Sequence, residues 1–446
     1  WEREAYESAT ESSYSFPNPD LLLRLVDLYF EHSNILFPIL HRPTFEQRIR
    51  NDDHTNDGVF GAVVLLVCAI GSRFSSDPCV ILEGTNSWHS AGWAWFLQVR
   101  LAGISIFSGS SLCDLQCTCL GAIYLLGVSA FNSAWNMIGM GIRLAQGSGA
   151  NRKRSYGSTL TVDDELYRRS FWVLVCLDRD LSLMTGRPCS IQEEDFDVDM
   201  PVDCDDEHWL HSDPEKAFKQ PPGRPSRISA FLCKLQLCQI DGYALRTIHA
   251  SQKAKYHFGF TGQDWEHRTV TSFDSILNVW VDSIPEHLRW DPAREDDALF
   301  FQSAHLYAKF YELQVLIHQP FIWPRKTSQH SFPSLAICVN AARSCTHILD
   351  ELHRRYPGRI IPFLHRPVLI SALVLLIRIW NVKQSKLPID IESDLSDVKK
   401  CMRYMETLEG RWFFAGRARD IIGVLALRAD VPVSDSEPFV NRKRKQ

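Results

Sequence analysis

Clean two-residue alternation of apolar and polar side chains is almost absent from this chain, and that constrains its fold more than any single motif. Apolar residues recur instead at helical spacing. Leu21, Leu25 and Leu28 share one face after PNPD, where Asp20 is placed to cap a helix. Two prolines in FPILHRPTF (37–45) end that helix and force an extended turn. Residues 58–73 read as a helix buried on most sides. Leu112, Leu115, Cys119 and Ile123 share a face in the stretch 111–146, and GSG at 147–149 supplies a stop. A further helix begins near TVDDE, where acids suit the positive end of the dipole, and runs to Gly186. Helical patterns resume after residue 227 and continue to IIGVLALRA, with no repeat of about 33–45 residues. The expected fold class is all-α, a large multi-helix domain with long loops.

Composition narrows the function classes. Hydrophobic residues make up 45% and charged residues 23%, enough apolar surface to offset chain entropy. The net charge of −5 leaves no chain-wide basic field to hold a polyanion, so any DNA contact is local or lies elsewhere. The 13 cysteines, many inside apolar runs such as those around Cys68, Cys176 and Cys345, read as small buried hydrophobes in a reducing compartment. The apolar stretches 58–71 and 119–131 fall short of the ~20 residues of a membrane span, and Arg378 interrupts PVLISALVLLIRIW, so no membrane association is expected. Trp1 stands where a methionine would, which reads as a piece of a longer protein. Residues 1–16 are expected to be a polar linker, 17–430 the helical domain with a sub-boundary at the loop 211–227, and 431–446 a tail.

Motifs that would carry catalysis or metal chemistry fail on inspection. Cys113, Cys117 and Cys119 form C-x3-C-x-C without a second Cys/His pair at ligand spacing. Asp195, Asp197 and Asp199 alternate like a calcium loop, but Met200 and Pro201 stand where the sharp turn needs glycine, so the stretch reads as a solvated acidic loop. GMGIRLAQG (139–147) lacks the third glycine of a dinucleotide fingerprint and lies within a helix. No Walker A, H-E-x-x-H or G-x-S-x-G motif occurs, so no enzyme is expected. NRKR (151–154) and NRKRK (441–445) are small basic clusters that read as a solvated loop and a ragged terminus, or as import signals.

The most telling stretch is ELYRRSFWVLVCLDRDLSLMTGRPCSIQEEDFDVDMP, through Arg168, Arg169, Phe171, Trp172, Leu177, Asp178, Arg179, Gly186, Arg187, Pro188, Asp195, Asp197 and Pro201. It resembles the central regulatory region of fungal zinc-cluster transcription factors, the fungal-specific transcription factor domain. LVDLYFEHSNILFPILHRPTF, AWNMIGMGIRLAQGSGANRKR and YAKFYELQVLIHQPFI resemble three further elements of that family, in order. The resemblance implies an all-helical regulatory and dimerisation region of a nuclear protein that controls RNA polymerase II transcription. Implied partners are a second copy, co-regulator proteins and a small-molecule effector, with DNA reached only through segments outside this chain. The family's zinc module opens with C-x2-C, a spacing absent here, so zinc is expected only in that outside module and no cofactor in this chain. A protein-binding scaffold that senses nothing, or an unrecognised helical enzyme, are the alternatives.

Within the signature, an Asp178–Arg179 pair inside an apolar helix requires partners, with Arg168, Arg169 and Arg187 the candidates. That constellation reads as architectural, locking the helix to the loop after Gly186. An effector pocket would draw on the aromatic segment Trp88, Trp93, Trp95 and Phe96, with Arg143 or Arg187 as polar anchor, in a chain of 13 Trp and 25 Phe.

Overall fold

The structure is a computed structural model that describes residues 14–99, 111–157, 159–260, 265–323, 333–357, 361, 363–385 and 390–429. It is all-α, and no strand occurs among the described residues. The chain divides into two compact units between Gly242 and Tyr243. That division falls inside a helix, while the loop 211–227 belongs wholly to the first unit.

The first unit opens with α1 (Pro19–Tyr29). Its cap is Asn18, whose Oδ1 accepts from Leu21 N at 2.8 Å, and not Asp20, because Pro19 takes the first helical position and moves the start upstream. A π-turn over Phe30–Asn34 follows, and Asn34 Oδ1 then accepts from Ile39 N and Leu40 N at 3.1 Å, which folds the FPIL segment back. Helix α2 (Arg42–Arg50) starts on Arg42-Pro43. Residues 14–16, expected in the polar linker, are docked: Ser15 N donates to Gln98 Oε1 at 2.7 Å and Phe16 sits edge-on to His54 at 4.8 Å.

Helix α3 (Gly58–Ser72), capped by Asp57 Oδ1 at Val59 N and Phe60 N, is the central strut, with residues 60–72 all buried. It packs between α1 and α4 (Leu112–Gly127). At its end the backbones nearly touch. A Cβ on Gly71 would lie 2.2 Å from the Leu25 carbonyl oxygen, so only glycine permits this crossing. Helix α4 carries a Ser111/Asp114 capping box, and Ser129 at φ 62° separates it from α5 (Phe131–Ser148), which stops at Gly149 with φ 79°. Helices α4 and α5 pack on α6 (Val162–Thr185), and α7 (Ser229–Arg246) carries the chain across the division.

The second unit continues with α8 (Trp265–Ser283), α9 (Asp297–His318), α10 (Ser334–Arg355), α11 (His365–Ser385), α12 (Glu392–Glu409) and α13 (Phe413–Arg428). Sequential helices from α9 onward pack on one another, joined by contacts of α9 with α11, α10 with α12 and α11 with α13. Helix α11 is the one described helix long and apolar enough, by length and composition, to cross a bilayer. Arg378 does not interrupt it. The guanidinium pairs with Asp394, which is fully buried on α12, and Arg366 Nε meets Glu312 Oε1 of α9 at 2.7 Å. These pairs tie α11 to α9 and α12.

Candidate functional site

Helix α6 and the extended chain after it form the candidate site. Thr161 and Asp164 close a capping box at its start: Asp164 N donates to Thr161 Oγ1 and Thr161 N to Asp164 Oδ2, both at 3.1 Å. Gly186 ends it at φ 68°, a left-handed conformation that favours glycine. From Glu165 to Asp178 nearly every side chain is buried, so its charged residues must find partners inside the unit.

Near the start of α6 those partners converge. Glu165 is fully buried and lies 3.2 Å from Arg168 Nη1 and 3.6 Å from Arg169 Nε, and it accepts from Val202 N at 2.9 Å. Burial raises its carboxyl to about 7 against the opposing pull of the two arginines. Arg169, 1% exposed, donates from Nη1 to Asp206 Oδ1 at 2.8 Å. Its guanidinium lies 4.2 Å from the centre of the Trp209 ring. Trp209 also meets His41, stacked at 4.5 Å with the planes 12° apart. Asp206 ties the assembly together: Oδ2 accepts from Arg42 N at 3.0 Å and the backbone carbonyl meets His41 Nε2 at 2.8 Å. Burial, aided weakly by Arg169, lowers the His41 pKa below its ordinary value, which favours the neutral ring. The HRP turn before α2, the helix α6 and the 204–209 turn are thereby joined through one stack.

Midway along α6, Phe171, Trp172 and Phe196 pack edge-on at 5.3–5.9 Å, and Trp172 Nε1 donates to the Asp199 carbonyl at 3.0 Å. Farther on, Asp178 Oδ2 accepts from Ser190 N at 2.8 Å, fastening the helix to the chain beyond Pro188. Arg168, Arg169 and Arg187 do not partner Asp178. Arg168 and Arg169 lie more than two turns upstream, and Arg187 turns outward after Gly186 to meet Asn132 Oδ1 and the Trp135 ring. Burial lifts Asp178 to about 6, opposed by the Ser190 N–H and by Arg179. Arg179 donates to Glu193 Oε1 at 3.0 Å, and its guanidinium lies against Gly242, where a Cβ would fall 1.9 Å from Nη1. Ser182 Oγ donates to the Pro188 carbonyl.

The acidic and basic loops prove to be each other's partners. Asp197 N donates to the Asn151 carbonyl, Asn151 Nδ2 to the Asp195 carbonyl, and Lys153 N to Asp197 Oδ1, while Lys153 Nζ pairs with Asp199 Oδ1 at 2.9 Å. The alternating aspartates are therefore a zipper onto NRKR (151–154). The second basic cluster, 441–445, lies outside the described residues.

Cys117 and Cys119 are buried, Cys113 partly so, and burial raises all three thiols. Among the described residues no group of three or more His, Cys, Asp or Glu is placed to hold a metal ion. Of the aromatic segment, Trp93 and Phe96 stack at 5.6 Å, Phe96 stacks on Tyr124 of α4 at 4.6 Å, and Trp95 is buried. Trp88 sits half-buried in the turn Trp88–Ser90, and Arg143 is exposed on α5, outside that ring stack.

Sequence reasoning missed His41, Glu165, Asp206 and Trp209. The first two lie within recognised motifs and carried a readable signal, a charge and an imidazole among buried apolar neighbours. Nothing in the local sequence marks Asp206 or Trp209, because their meaning comes from a chain crossing 37 residues downstream of Arg169.

The charged side chains of α6 are thus paired within the first unit. The sequence profile of the fungal specific transcription factor domain matches residues 26–356, and the chain belongs to that family. It is 27% identical over 362 residues, 77% of this chain and 45% of the relative, to an uncharacterized transcriptional regulatory protein of Schizosaccharomyces pombe. It is 24% identical to cutinase transcription factor 1 alpha of Fusarium vanettenii, over 90% of this chain and 42% of that protein. It is 23% identical to an ABC-transporter-regulating transcription factor of Aspergillus fumigatus, over 88% of this chain and 44% of that protein. Each of these relatives is named as a transcription factor or a transcriptional regulatory protein, none as an enzyme, and the chain spans less than half the length of each.

Proposed function

We propose that this chain is the regulatory region of a nuclear transcription factor that controls RNA polymerase II transcription. In this reading it dimerises with a second copy, receives co-regulator proteins and responds to a small effector. DNA is engaged by a zinc module outside the chain. The observation that carries the reading is the paired state of the family signature: Arg168, Arg169, Asp178, Arg179 and Arg187 each have a partner within the first unit. Such a constellation sets the relative positions of α2, α6 and the 186–209 chain, and a perturbation of any one is felt by the others. An effector would bear on the Trp93–Phe96–Tyr124 stack, which offers ring faces beside the central strut.

The test joins this chain to an unrelated DNA-binding module and a matching reporter, with the chain alone as control. Regulation requires that the fusion change reporter output and that Arg169→Met alter the change at matched protein level. The chain alone should bind duplex DNA weakly and without sequence preference at physiological salt. Sequence-selective nanomolar binding by the chain alone, or a fusion indistinguishable from the bare DNA-binding module, overturns the reading.

A further inference from the structure

Two thiols in the first unit are placed for a chemistry that the regulatory reading does not use. Cys176 lies on α6, between Trp172 and Asp178, and Cys238 lies on α7. Their sulfurs are 2.9 Å apart, and the residues are 0% and 1% exposed. A covalent S–S bond measures about 2.04 Å, so closure requires the two sulfurs to approach by about 0.9 Å in total. That is within the reach of small χ1 adjustments on two helices already in contact through these side chains. Asp180 Oδ2 lies 3.9 Å from the Cys176 sulfur, and the Arg179 guanidinium is within electrostatic range of Cys238.

We propose that Cys176 and Cys238 form a buried redox site, a dithiol that hydroperoxides close to a disulfide tying α6 to α7. The Cys176 sulfur attacks one peroxide oxygen and gives up its proton to the departing oxygen. The O–O bond breaks, the departing oxygen leaves as water or an alcohol, and Cys176 becomes a sulfenic acid. The Cys238 sulfur then attacks that sulfur, the S–O bond breaks, and a second oxygen leaves as water with the proton of Cys238. Two thiols lose two electrons and two protons in all, and the hydroperoxide is reduced.

Two features set the character of this site. The hydrogen bond to Cys176, burial and the nearby Asp180 and Asp241 carboxylates hold the Cys238 thiol well above its ordinary range, so it stays protonated until a sulfenic acid forms beside it. Cys79 is exposed and carries no such enclosure, so it serves as an internal reference for general oxidation. The linkage spans 62 residues and joins the family-signature helix to the helix in which the two units meet in sequence. It thus constrains the very helix whose charged residues organise the site.

The experiment uses the unsubstituted chain. It is exposed to hydrogen peroxide, its remaining thiols are alkylated under denaturing conditions, and it is digested with trypsin without reduction. Cleavage isolates Cys176 in peptide 170–179 and Cys238 in peptide 235–246, each with a single cysteine. The expected product is the disulfide of those two peptides, lost on treatment with dithiothreitol, absent from Cys238→Ser and retained in Cys79→Ser. Recovery of both peptides as alkylated free thiols, at a peroxide dose that oxidises Cys79, overturns the proposal. So does a disulfide from Cys176 to any other cysteine. Because the deciding readout is made on the unsubstituted chain, a folding defect in a variant leaves it intact, and it is independent of whether the chain regulates transcription.

Discussion

Replacing Arg169 by methionine tests the stack that joins α2, α6 and the 204–209 turn. Methionine keeps most of the volume and removes the guanidinium. The variant loses the 2.8 Å bond to Asp206 Oδ1, the charge 3.6 Å from Glu165, and the cation 4.2 Å from the Trp209 ring centre. Glu165 is fully buried, so it is left with Arg168 alone to balance it. Breaking a buried pair from one side costs about 3–5 kcal/mol, and the ring contact is included in that figure because the same group makes both. Arg169→Lys keeps a charge but lacks the planar fork, so it should lose about 1–2 kcal/mol. Urea unfolding followed by circular dichroism, with hydrogen-exchange protection of the α6 amides, reads the effect without assuming that both units unfold together. Asp206→Asn should cost less in the Arg169→Met background than in the parent, with a coupling of about 1–3 kcal/mol. Arg169→Met within about 1 kcal/mol of the parent, or strict additivity with Asp206→Asn, would refute the argument.

Asp178→Asn should flatten a pH response. The carboxyl sits at about 6 in the fold against an ordinary 3.8, so across that window the folded chain holds a proton the unfolded chain has released. Stability contributed by this group is therefore full below pH ~4 and falls by about 3 kcal/mol as pH rises to ~6. Asparagine retains an acceptor for Ser190 N and carries no charge, so its melting temperature should exceed the parent's at pH 7.5 and match it near pH 4; an equal deficit at both pH values would contradict this. Trp172→Ala, at a residue 2% exposed, should cost about 3–5 kcal/mol in chemical denaturation, and a loss under about 1 would place the ring at the surface. A thermal-shift screen of sugars, organic acids and hydrophobic metabolites tests effector binding: a ligand at a hundredfold over its dissociation constant should stabilise by ~2.7 kcal/mol, and Trp93→Ala should abolish the shift. Elemental analysis of the purified chain should find no stoichiometric zinc, and one tightly held ion per chain would refute that.

Helix by helix, most of the fold was legible in the sequence because its signals are local. Periodicity over Leu21–Leu28, the acids after Thr161 and the glycines at 149 and 186 each act within a few residues of where they stand. The Asp20 cap failed for an equally local reason, a proline one position earlier that brought Asn18 into place. Side-chain partnership was another matter. Asp178 was read as needing an arginine, yet its oxygen takes the Ser190 N–H, a donor that no pattern of residue types reveals. The acidic run 195–199 and the basic run 151–154 read as two solvated loops, and only folding brought them edge to edge. The meeting of Arg169, Asp206, Trp209 and His41 likewise depends on chain crossings of 37 and 165 residues. Local backbone preferences are written residue by residue and survive in the unfolded chain. Pairings between distant groups are chosen by the packing of α3 to α6, which alone determines which buried charges come within hydrogen-bond reach.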